Sequence, residues 1–120
     1  MTRQRESDLL GLLKMVRETE LARLAENTRQ CEALRVQIDR MRNMGNSPDA
    51  TGENIQASLI WAGSRAAERW ENWKTAELAR LNGELARLMA EREALIRAAS
   101  RAVGRTSAFE EMIRARPRKG

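Results

Sequence analysis

The chain has 120 residues and a net charge of +5, with 32% charged residues, one Phe, three Trp, no Tyr and no His. That is length for one domain, but too few bulky side chains for a broad globular core, and the abundance of Ala, Leu, Glu and Arg is the composition of long helices or coiled coils. Lack of His removes imidazole bases and ligands, one Cys allows neither an intrachain disulfide nor a structural zinc site, and no glycine-rich phosphate loop is present. Carboxylates on an open helical rod stay hydrated, with nothing to raise a pKa, so no catalytic, cofactor-binding or metal-binding residue is assigned and the chain is read as a non-enzyme.

The start, MTRQRESD, is too polar for a signal peptide, and no apolar run approaches the ~18 residues of a membrane span. With a single Cys, a reducing, cytoplasmic setting without membrane insertion is expected. An apolar-periodic stretch then runs from about Glu6 to Met44. Leu10, Leu13, Leu24, Cys31, Leu34, Ile38 and Met41 recur at spacings of three, four and seven and share one stripe. The same frame puts Arg17, Glu20 and Asn27 in core positions, which costs stability but fixes register and partner number. Cys31 reads as a small core residue rather than a reactive thiol.

A break rich in turn formers, GNSPDATG, covers Gly45 to Gly52. A second helix is expected from about Glu53 to Ala115, longer than the first, and Pro117 ends it before the solvated tail at 116–120. Its strongest heptad frame is Leu78, Leu81, Leu85, Leu88 and Leu95, interrupted by Arg92 and continued by Ala99, Ala102, Thr106, Phe109 and Ile113. Upstream, Ile55, Leu59, Gly63, Ala66, Trp70 and Trp73 form a face of different phase, which predicts a register shift between Trp73 and Leu78. Trp61 points away from Trp70, so Ile60 and Trp61 are candidates for a partner contact near the tip. Gly11, Gly63, Gly83 and Gly104 interrupt the helical stretches at up to ~1 kcal/mol each relative to Ala.

These elements define an all-α fold, a two-helix antiparallel coiled-coil hairpin forming a single domain. If the chain folds back at the break, Glu6 falls opposite Glu91, and everything beyond Arg97 is left without a partner in the chain. That overhang is also basic: Arg97, Arg101, Arg105, Arg114, Arg116, Arg118 and Lys119 stand against only Glu110 and Glu111. Such a segment attracts an acidic protein surface, a nucleic acid or an anionic membrane. Phe109, Met112 and Ile113 among the charges favour insertion into a protein groove, and no nucleic-acid motif is present.

The polar start, Leu-rich helix, short break and ending RAVGRTSAFEEMIRAR resemble the FliJ/YscO family, the small coiled-coil stalk proteins of flagellar and type III secretion export. The resemblance implies a protein whose joined N- and C-terminal ends enter the pore of a hexameric export ATPase, peripheral to the inner-membrane export apparatus. It also implies contact with the export gate and, in some members, with export chaperones. Arg101, Arg105, Phe109, Met112, Ile113 and Arg114 are the candidates for the ATPase contact, and Leu59, Ile60 and Trp61 for the gate. Two competing expectations are a structural homodimeric adaptor, in which a second copy covers Ala99, Ala102 and Phe109, and a basic nucleic-acid-associated protein whose retention is salt-sensitive.

Overall fold

Two helices account for the fold of the computed structural model, which describes residues 2–44 and 65–116. Helix α1 spans Arg3–Asn43 and α2 spans Arg65–Ala115. At the start of α1 the Thr2 hydroxyl accepts the Arg5 amide at 3.3 Å, which satisfies one of the orphan donors of the first turn. Glu6 in that turn, and Arg40 and Arg42 in the last, complement the helix dipole. At the far end the ammonium of Lys74 donates to the Met44 carbonyl at 3.0 Å and closes α1 from across the seam.

The chain divides into two compact units. In residues 30–88 the helices pack through an apolar cluster of Cys31, Leu34, Ile38, Leu81 and Leu88, with Leu78 and Leu85 against it. Each Leu or Ile buried this way contributes ~1.5–3 kcal/mol. Cys31, 2% exposed, is the expected small core residue. On the outer surface of this unit Arg80 hydrogen-bonds Glu77 and Glu84, and the Glu77 bond holds that carboxyl below the usual carboxylate range. Whatever this adds is present above the ordinary Glu pKa and is lost as pH falls through the lowered one.

In the other unit, residues 1–29 with 89–120, the seam is built differently. Its buried positions are Glu6, Asn27, Ala99, Ala102 and Thr106, with Leu10, Leu13, Leu24, Leu95, Phe109 and Ile113 half-buried. The Thr106 hydroxyl donates to the Ala102 carbonyl at 2.9 Å and approaches the Leu13 carbonyl at 3.3 Å. Arg92 reaches the Thr28 hydroxyl, and Arg116 pairs with the buried Glu6 carboxylate. These contacts put Leu13 at the level of Thr106 and Thr28 beside Arg92. Carried along both repeats, the same register sets Leu10 beside Phe109, Arg17 beside Ala102, Glu20 beside Ala99 and Leu24 beside Leu95.

Two expectations are corrected here. The first is the fold-back register: Glu6 lies near Arg116 and not Glu91, so the residues beyond Arg97 pair with the start of α1 and are not an overhang. The expected register would have set Glu6 against Glu91, Arg17 against Arg80 and Glu20 against Glu77, like charges facing across the seam. The surplus residues of α2 precede Lys74 and so lie toward residues 45–64. Those residues, including the expected turn at 45–52 and helix start near Glu53, fall outside the described ones.

The second correction concerns Ala66 and Trp73, which are exposed, Trp73 by 48%. Trp70 is half-buried as expected, and Ala67 and Lys74 are half-buried in place of Ala66 and Trp73. Ala67, Lys74, Leu81, Leu88, Leu95, Ala102 and Phe109 recur at every seventh residue, so the seam runs past Trp73 without the predicted break. Lys74 can occupy the stripe because its stem lies along apolar surface while its tip reaches the end of α1. Trp73 stacks on Trp70 instead, ring centroids 5.2 Å apart.

Gly11, Gly83 and Gly104 all stand where an added Cβ would meet nothing. They neither permit close approach nor fill a gap. Gly83→Ala and Gly104→Ala are therefore each expected to raise unfolding free energy by ~0.5–1 kcal/mol, read as a higher denaturant midpoint with unchanged slope. Leu81→Ala should lower it by ~2–5 kcal/mol, because it empties the middle of the apolar cluster.

Candidate functional site

The end at which α1 begins and α2 finishes gathers most of the residues singled out for a partner contact. Arg101, Arg105, Met112 and Arg114 are exposed, Met112 by 68%. Arg114 donates to Glu111 at 3.0 Å one turn away, an exposed pair that leaves the guanidinium at the surface. Phe109 and Ile113 are separated from this group: both are half-buried at seam positions, where they hold α2 to α1. Ala99 and Ala102 are buried within the chain, so the surface expected to be covered by a second copy is already covered by α1. Leu59, Ile60 and Trp61 lie outside the described residues.

The pairing of Glu6 and Arg116 shapes this end. Glu6 is buried, and its carboxylate is removed from water beside a half-exposed guanidinium. A buried carboxylate is tolerated when a cation compensates it, and the pair fixes which residues of the two helices meet. Arg116 seemed part of a solvated tail because its heptad position only has meaning once α1 is opposite. Arg3 and Arg5, in the first turn and a half of α1, add exposed cations to the same end.

Sequence reasoning took Val16 and Leu21 as partial substitutes flanking the seam, where both are exposed, and missed the other apolar side chains that α1 leaves in solvent here. Leu9, Leu12, Met15 and Val16 are all exposed, Leu12 by 59%. The signal was present, since Leu9, Leu12 and Val16 recur at spacings of three and four on a stripe beside the seam. Among the described residues no three His, Cys, Asp or Glu side chains gather as a metal-binding group, and no helix is long and apolar enough to cross a membrane. Comparisons with protein-family models, curated proteins and solved structures find no match to this chain.

Arg116→Ala should destabilise the protein by ~1–3 kcal/mol, because it leaves the Glu6 carboxylate buried and uncompensated. In a double-mutant cycle, Glu6→Gln should remove most of that penalty, so the two changes together cost less than their sum. Denaturant unfolding of the four proteins measures this, and additivity would show that the two side chains do not interact.

Proposed function

We propose that this chain is a non-enzymatic stalk or coupling protein of a flagellar or type III protein export apparatus. It engages a hexameric export ATPase through the end where Glu6 meets Arg116. The observation that carries the reading is that the first and last described turns are held together, with Arg3, Arg5 and Arg114 exposed around them and Arg105 and Arg101 exposed about three and four turns back along α2. A ring of like subunits presents the same groove several times, and a narrow two-helix end can contact successive copies unequally. Cations around that end steer it toward acidic groove walls.

The resemblance of RAVGRTSAFEEMIRAR to the FliJ/YscO ending supports the same assignment, with a division of roles. Phe109 and Ile113 keep the two helices joined, while Arg101, Arg105, Met112 and Arg114 face the ATPase. The protein then works at the inner-membrane export apparatus, and the region around Leu59, Ile60 and Trp61 meets the gate or export chaperones.

The test is ATP hydrolysis by the export ATPase from the same genome, with and without the full chain. Stimulation and co-purification are expected. Arg101→Glu with Arg105→Glu and Arg114→Glu should weaken the half-maximal concentration by about tenfold or more, and steepen no salt dependence that the original protein shows. Absence of both binding and stimulation with the unaltered chain would sink the assignment.

A further inference from the structure

One long side of the unit formed by residues 1–29 and 89–120 is segregated by both polarity and charge. Take Leu10 and Leu13 as positions a and d of the repeat in α1, and Thr106 and Phe109 as a and d in α2. In an antiparallel pair the g positions of the two helices then line one edge of the seam, with the c positions just outside them. On that side α1 carries Leu9, Leu12 and Val16, and α2 carries Ala108 and Met112, all exposed. Between Arg5 and Arg23 on α1, and between Arg101 and Ala115 on α2, the c and g positions include Arg5, Arg23, Arg101 and Arg105 and not one Asp or Glu. The carboxylates of the same stretches stand elsewhere: Asp8, Glu18, Glu110 and Glu111 at b, e and f, and Glu6 and Glu20 in the seam.

We propose that this side is a docking face for a single amphipathic helix of a partner protein, with apolar residues on one stripe and Asp or Glu flanking it. Three apolar residues at spacings of three and four on α1, with Met112 across the seam edge, make a shallow channel between two helices, the shape a third helix packs into. Arg23 is paired with Glu20 at 3.3 Å, but Arg5, Arg101 and Arg105 border the channel with no carboxylate at its c and g positions, so the complementary helix is acidic. A second copy of the chain fits poorly, because two such faces pressed together would oppose arginine rows with no acidic partner. An anionic bilayer shares the charge preference, but the stripe holds no Trp, Tyr or Phe to anchor at a membrane surface. The face shares Arg101, Arg105 and Met112 with the contact proposed for the ATPase, but the selection below contains no ATPase, so the two readings fail separately.

The experiment is a selection on the full chain from a displayed library of helices, with Leu fixed at i, i+3 and i+7 and flanking positions free to be Glu, Lys or Ser. Enrichment of Glu at the flanks is expected. Leu12→Glu, an exposed position that should leave helicity by circular dichroism unchanged, should weaken the selected helices at least tenfold. Arg101→Glu with Arg105→Glu should turn the preference toward Lys, which a merely sticky apolar patch would not do. No enrichment, or enrichment without charge preference, overturns the proposal. So does retention on vesicles containing anionic lipid, or a dimer in sedimentation equilibrium, if Leu12→Glu abolishes it; the first would assign the face to a membrane and the second to another copy of the chain.

Discussion

The pairing of α1 with α2 depends on a register in which the long polar seam residues of α1 meet small ones of α2 while the apolar layers meet one another. Arg17 and Glu20 occupy seam positions of α1, and the register sets them beside Ala102 and Ala99. The long polar side chains cover the two alanines with their methylene stems while their charged ends reach the edge, and both alanines are buried. Leu against Arg, or Glu against Glu, at these levels would strand a charge or open a gap. The buried Glu6 with Arg116 and the contact of Arg92 with Thr28 belong to the same register. Moving one helix along the other by a heptad breaks all of them together.

The two units consequently differ in what holds them. The seam of residues 30–88 is made of Leu, Ile and Cys, and its stabilisation is apolar burial. The seam of residues 1–29 and 89–120 sets Glu6, Asn27, Ala99, Ala102 and Thr106 among half-buried Leu10, Leu13, Leu24, Leu95, Phe109 and Ile113, so hydrogen bonds and an ion pair add specificity to its apolar burial. The same unit displays the exposed Leu9 and Leu12 with Arg101 and Arg105, the surfaces suited to partners. The glycines on outer positions of both helices lower stability without serving any contact.

Much of the seam was legible from spacing alone. Leu10, Leu13, Leu24, Cys31, Leu34, Ile38, Met41, Leu78, Leu81, Leu85, Leu88 and Leu95 lie where their periodicity puts them, because an apolar stripe on a long helix has one favourable orientation. Arg17, Glu20, Asn27 and Arg92 were also assigned to the seam despite their polarity. The errors arose where polarity was followed instead of the repeat. Trp73 was preferred to Lys74 as a seam residue, yet Lys74 keeps the seven-residue phase and caps α1. Leu9 and Leu12 passed unremarked, and Val16 was read as flanking the seam, since their stripe gains meaning only when Arg105 and Met112 are beside it.

By itself the sequence determined that this is a pair of long helices, which residues form most of each seam, and that the last stretch is basic. A heptad repeat is nearly invariant to sliding by seven residues, so periodicity could not choose among registers, and the expected one, with Glu6 opposite Glu91, was off by roughly three heptads. Only the tertiary structure decided that choice, through contacts far apart in the chain: Leu13 with Thr106, Thr28 with Arg92, Glu6 with Arg116. With it came the finding that matters most for function, that the basic stretch is one wall of a joined end and not a free tail. The physical reason is that layer complementarity is a property of two helices together, invisible in either repeat alone.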